Sequence, residues 1–106
     1  MQSLAGNDHR QIDLSPSQAD EVRSILTGVL PTLVAWGFGS RATGRARPYS
    51  DLDILVATAL PLTWSQRADL RDAFEASNLP FRVDIVEESR LAPGMQARVL
   101  AERLPL

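Results

Sequence analysis

The sequence predicts one mixed α+β domain, in which helices pack on a three-stranded mixed sheet in the order α-β-loop-β-α-β-α. Three observations support this. The length of 106 residues suits a single compact domain. Two helical patterns each begin with a Ser/Thr-x-x-Gln capping box. Three short runs rich in strand-forming residues alternate with them, which is typical of helices layered on a sheet.

The first half of the chain begins with a polar stretch, residues 1–14, which we expect to be a flexible arm. Ser15 can cap the helix that follows, with Pro16 at its first position and Gln18 closing the capping box. Apolar residues then recur at helical spacing up to Pro31. A strand is predicted over residues 33–38, and it leads into a polar, glycine-bearing loop.

The second half carries two more strands and two more helices. A strand is predicted over residues 51–57, and Thr63 and Gln66 form the second capping box. A third strand covers residues 81–86, and Pro93 begins a last helix that runs to about residue 103. The folded domain is therefore expected to span residues 15–106.

Composition excludes several classes of function. A net charge of −2 gives no basic surface for strong nucleic-acid binding. Cysteine is absent and His9 is the single histidine, which excludes disulfides and thiolate chemistry and disfavours most zinc sites. No apolar run approaches the roughly 20 residues that a membrane span needs, and the N-terminus lacks a signal-peptide layout. We expect a cytoplasmic protein without membrane association.

Paired carboxylates stand at the start of the second strand. Asp51 and Asp53 are two residues apart, so both side chains leave the same face of the sheet. Asp84 interrupts the apolar third strand, where aspartate is a poor strand former. If the second and third strands pair, Asp84 falls beside the other two. Three carboxylates on one face suit Mg²⁺ or Mn²⁺, and such a set can hold two ions about 3.5–4 Å apart.

Groups suited to phosphate binding lie just upstream. Gly39 follows a buried strand, where glycine allows a backbone N–H to approach a phosphate closely. Ser40 and Ser50 add hydroxyl groups, and the loop between them carries three arginines. Each arginine alone is more simply read as a solvated charge, as is Glu87 at the end of the third strand. Tyr49 and Trp36 are interpreted as packing residues.

The segment from Gly39 to Asp53 reads GSRATGRARPYSDLD, with ten residues between Ser40 and Asp51. Followed by a strand and a later strand aspartate in FRVDIV, it resembles the DNA polymerase beta-type nucleotidyltransferase superfamily. In length and layout the chain is similar to the short standalone members of the minimal nucleotidyltransferase group. The resemblance covers nearly all of the chain after residue 15.

The resemblance implies a palm-like fold and the transfer of a nucleoside monophosphate, AMP from ATP, by a two-metal mechanism. It implies that Asp51, Asp53 and Asp84 are catalytic and bind two Mg²⁺ ions, and that Asp84 helps to deprotonate the attacking hydroxyl. The phosphate-binding residues carried over are Gly39, Ser40, Ser50 and Arg41. Thr43 departs from the pattern, because many relatives carry arginine in this segment. Either Arg41 or Arg45 replaces that arginine, or triphosphate binding is weaker.

The resemblance also implies a partner. Short members of the group pair with a separate all-helical protein of the HEPN type, in some cases as toxin and antitoxin with adenylylation of a partner tyrosine. We therefore expect a hetero-oligomer, or a homodimer in which a second copy closes the site. The main alternative is an interaction protein that neutralises its helical partner by binding alone. An antibiotic-modifying transferase is weaker because such relatives carry an additional helical domain, and a template-directed polymerase is weaker still.

Overall fold

The computed structural model describes residues 10–106, which form a four-stranded mixed sheet with helices on both faces. In chain order the elements are α1 (Pro16–Val29), β1 (Val34–Phe38), α2 (Ser40–Thr43), β2 (Leu52–Ala57), α3 (Trp64–Glu75), β3 (Val83–Glu87), α4 (Pro93–Glu102) and β4 (Leu104–Pro105). The expected α+β class is confirmed. The expected count of three strands is wrong, because β4 adds a fourth beside β1. With only two residues, β4 is too short to show an alternating pattern in the sequence.

Local hydrogen bonds begin both long helices as predicted. Ser15 accepts the backbone N–H of Gln18 at 3.1 Å, and the Gln18 side chain accepts the Ser15 N–H at 2.9 Å. Thr63 and Gln66 make the same reciprocal pair at the start of α3. Each box satisfies donors that a helix start otherwise leaves without partners.

Strand pairing gives the sheet two different faces. The order is β3-β2-β1-β4, with β2 antiparallel to β1 and parallel to β3. One face packs against α1 and α3 and holds the larger core, which includes Val22, Ile54 and Leu70. The other face carries a smaller apolar cluster centred on Phe38, Leu55, Leu91 and Val99. Because Val99 belongs to α4, this helix covers the second face.

The end of the predicted N-terminal arm belongs to the folded domain. Ile12 is buried in the larger core, and the Asp13 N–H donates to the carbonyl of Arg41 at 2.7 Å. The domain therefore includes residues before Ser15. His9 and the rest of residues 1–9 lie outside the described residues.

Two side chains differ from their expected environments. Tyr49 is 77% exposed, although a packing position was predicted for it. Glu87, predicted as a surface charge, is buried. It accepts the Leu62 N–H at 2.8 Å and pairs with Arg67 at 3.0 Å, so its charge is compensated inside the fold. Within residues 10–106, none of the helices has the length and apolar character that crossing a bilayer demands.

Candidate active site

Strand register places two of the predicted carboxylates side by side. Asp53 pairs with Asp84 across the parallel β2–β3 ladder and with Phe38 across the antiparallel β1–β2 ladder. Residues paired in register share a sheet face, so both carboxylates lie on the face covered by α4. Asp51 stands one residue before β2 and two before Asp53. The pairing that the sequence analysis required between the second and third strands is therefore present.

The electrostatics of Asp53 show that the three carboxylates interact. Partial burial raises the pKa of Asp53 above its ordinary value of 3.8, and the neighbouring charges of Asp84 and Asp51 raise it further. Arg98 acts in the opposite direction and favours the ionised form. Like charges gathered at one place raise a carboxyl pKa because the ionised forms repel one another. A bound cation would relieve this repulsion.

Gly39 joins the turn after β1 to the carboxylates. Its backbone has φ +75° and ψ −150°, a region that residues with a side chain rarely adopt. A methyl group at this position would also overlap the carboxylate of Asp53. The turn and the aspartate are therefore in direct contact, and both conformation and space require glycine.

Helix α4 supplies two charged residues that the sequence analysis did not assign to the site. The Glu102 carboxylate accepts the N–H of Gly39 at 3.3 Å. Arg98, one turn earlier on the same helical face, lies close enough to Asp53 to lower its pKa. Their spacing of four residues marks a common helix face, but the sequence alone did not show that this face meets the carboxylates.

Contacts of Arg103 and Val99 hold α4 against the face of the sheet that carries the site. The Arg103 guanidinium lies over the Trp36 ring at 4.2 Å from its centroid and pairs with Glu88 at 3.6 Å. Val99 is completely buried beneath the helix. These contacts, together with β4, hold Glu102 and Arg98 in place beside Asp53.

Two predicted phosphate-binding residues make contacts within the protein. Arg41 is 4% exposed, and its guanidinium donates to backbone carbonyls of the surrounding loops. The structure thus turns this side chain inward, away from the role that the resemblance implied. Ser50 accepts the backbone N–H of Arg47 through its hydroxyl oxygen at 2.8 Å. Ser40, by contrast, is the first residue of α2, directly after the Gly39 turn. Thr43 is exposed at the end of that helix.

The donor set is chemically suited to a hard divalent cation. Asp51, Asp53 and Asp84 all present oxygen ligands, and their mutual repulsion raises the pKa of Asp53. In the geometry of residues 10–106, no three Asp, Glu or His side chains are already gathered closely enough to enclose an ion. The charge and ligand type of these residues suit a cation, whereas the positions of their side chains do not enclose one.

Comparison with known proteins identifies the family. The family model for the polymerase beta nucleotidyltransferase domain matches residues 21–106. The chain belongs to the polymerase beta-type nucleotidyltransferase family. Its fold and the motif from Gly39 to Asp53 thus lie in a family of transferases, and the predicted resemblance is confirmed.

Individual relatives place this nucleotidyltransferase near the minimal members of the family. It is 39% identical over 77 residues to "Probable protein adenylyltransferase MntA" of Haemophilus influenzae, covering 73% of this chain and 68% of the relative. A solved structure assigned to the minimal nucleotidyltransferases is 41% identical, with a TM-score of 0.67 and coverage of 85% of this chain and 90% of that one. A toxin-antitoxin crystal structure with AMP-PNP is 26% identical, with a TM-score of 0.68 and coverage of 81% and 69%.

Proposed function

We propose that this nucleotidyltransferase moves AMP from ATP onto a hydroxyl group of a partner protein, with Asp51, Asp53 and Asp84 as its catalytic residues. One observation carries the proposal. Asp53 is paired with Asp84 on one side and is in contact with Gly39 on the other. Carboxylates and a glycine turn of the kind that approaches phosphate therefore meet at one point of the sheet.

In the proposed reaction, the acceptor oxygen attacks the α-phosphorus of ATP and pyrophosphate leaves. Asp84 takes the proton of the attacking hydroxyl, and Gly39 and Ser40 orient the triphosphate. Asp51, Asp53 and Asp84 would hold two Mg²⁺ ions, which supply positive charge to the phosphate oxygens. The protein then contributes mainly position and charge, as is general for phosphoryl-type transfer.

The proposed acceptor belongs to a separate protein because α4 covers the catalytic face only in part. The side chain of Asp84 is 48% exposed, although it stands at the expected position of the general base. A second polypeptide can therefore bring a hydroxyl group to it and exclude water at the same time. The protein adenylyltransferase name of one relative and the toxin-antitoxin assembly of another support a protein partner, which we propose to be of the HEPN type.

Labelled ATP tests this proposal directly. The protein is incubated with Mg²⁺, α-labelled ATP and a HEPN-type helical protein offered as the acceptor, and the label is followed on a denaturing gel. We expect label on the partner with the parent enzyme and none with Asp53→Asn, whose fold should remain intact by circular dichroism. Transfer by Asp53→Asn at the parent rate would disprove the catalytic assignment. An Asp69→Asn variant, changed on the exposed side of α3, is the matched control.

A second candidate function is neutralisation of the partner by binding alone. It is favoured by the residues directly after the glycine turn, because Thr43 is uncharged and Arg41 is engaged inside the protein, so that only the more distant Arg45 and Arg47 of this loop are exposed. The same Asp53→Asn variant separates the two functions. A variant that still suppresses the partner's toxicity supports simple binding, whereas loss of suppression together with loss of labelling supports catalysis.

A further inference from the structure

Arg41 is a buried arginine that contacts several separate parts of the candidate site. It is 4% exposed within the short helix α2, directly after Ser40. Its Nη1 donates to the carbonyl of Asp13 at 2.8 Å, and its Nε and Nη2 donate to that of Ser50 at 3.0 and 2.8 Å. Nη2 also donates to the Pro48 carbonyl at 3.0 Å. A planar guanidinium can serve this many fixed acceptors at once.

The same side chain also reaches the start of the third strand. The guanidinium lies over the ring of Phe81 at 4.0 Å from its centroid, and Phe81 precedes Asp84 by three residues. The Ser50 carbonyl that Arg41 binds belongs to the residue immediately before Asp51. Arg41 therefore connects the segments that carry Ser40, Asp51 and Asp84.

We propose that Arg41 is a positioning residue, which sets the loop before Asp51 against the Gly39–Ser40 turn. Its guanidinium donates to backbone carbonyl oxygens, so Arg41 acts by holding the backbone in place and does not bind phosphate itself. Lysine cannot replace it, because a compact ammonium cannot reach carbonyls in different segments together. The consequence for catalysis rests on the proposed function, whereas the ordering of the loop does not.

Hydrogen exchange tests the ordering without reference to activity. The Ser50 N–H donates to the Arg47 carbonyl at 3.0 Å, and the Arg47 N–H donates to the Ser50 hydroxyl, so both amides report on the loop. In Arg41→Lys we expect both to exchange at least about tenfold faster, as local opening becomes easier. The matched control is Arg45→Lys, since Arg45 is exposed in the same loop. Unchanged exchange in Arg41→Lys, or equal acceleration in both variants, would overturn the proposal.

Kinetics and chemical rescue test the catalytic consequence at a temperature where all variants are folded. A displacement of about 1 Å in a reacting group can cost about 100-fold in rate, and we expect a loss of this order in kcat/KM for Arg41→Lys. Arg41→Ala should lose as much and recover in part with methylguanidinium, but not with methylammonium. If Arg41→Lys melts lower yet keeps the parent kcat and KM, Arg41 is merely structural. If the parent itself transfers no AMP, the proposed function fails, and hydrogen exchange alone decides the positioning role.

Discussion

Replacing Asp53 with asparagine should stabilise the protein in the absence of metal. Burial and the charges of Asp84 and Asp51 raise the pKa of Asp53. The folded protein therefore binds more protons than the unfolded chain between the ordinary carboxyl pKa and the raised one. The free energy of unfolding falls as pH rises through that window, and the whole loss remains at higher pH. Asparagine carries no charge at any pH, so the variant does not lose this free energy.

The size of the effect follows from the strand pairing. Paired residues on neighbouring strands lie about 4.8 Å apart. Two charges at about 5 Å repel by about 3 kcal/mol at an effective dielectric of 20, and by less than about 1 kcal/mol in water. Because the Asp84 side chain is 48% exposed, the lower part of this range applies. We expect Asp53→Asn to gain about 1 kcal/mol, which is about 4–8 °C in Tm for a domain of this size.

Thermal unfolding from acid to neutral pH, with and without Mg²⁺–ATP, measures this prediction. The difference in Tm between Asp53→Asn and the parent should grow as pH rises. It should vanish in acid, where residue 53 is uncharged in both proteins. Mg²⁺–ATP at about a hundredfold excess over its dissociation constant should stabilise the parent by about 2.7 kcal/mol, and the variant much less. Asp69→Asn serves as the control on α3. An Asp53→Asn variant that melts with the parent at every pH would show that the carboxylates do not strain the fold.

Three further predictions test other parts of the structure. Gly39→Ala should cost about 1–3 kcal/mol, because its backbone conformation is nearly restricted to glycine and a methyl group would displace the Asp53 carboxylate. Gly28→Ala, which has open space in the last turn of α1, should instead gain at most about 0.5–1 kcal/mol in urea unfolding. Glu87→Ala should cost about 1–3 kcal/mol, because it leaves the buried Leu62 N–H without an acceptor, while its arginine partner is partly exposed and can be solvated. Glu88→Ala, at a partly exposed ion pair, should cost at most about 1 kcal/mol. Glu102→Ala should bind Mg²⁺–ATP about tenfold more tightly by calorimetry, equivalent to about 1.4 kcal/mol, because it frees the Gly39 N–H; weaker binding would mean that Glu102 supports the turn.

The sequence alone determined the features that depend on near neighbours. The two capping boxes need only residues three apart, and both long helices begin where those boxes predicted. The proximity of Asp51 to Asp53 follows from their separation by two residues, and Asp84 was recognisable because it interrupts an apolar strand. These signals are readable because helix starts and strand faces depend on hydrogen bonds and periodicities within a few residues.

Only the tertiary structure decided which distant groups complete the site. Glu102 reaches Gly39 across 63 residues of sequence, and Arg98 stands beside Asp53 only because α4 packs on that face. Arg41 looked like one of three similar loop arginines, yet it alone among them is buried. A side chain's direction depends on the carbonyls and rings that the whole fold brings around it. The residues near Arg41 in the sequence do not predict those neighbours, because their positions depend on how the helices pack on the sheet.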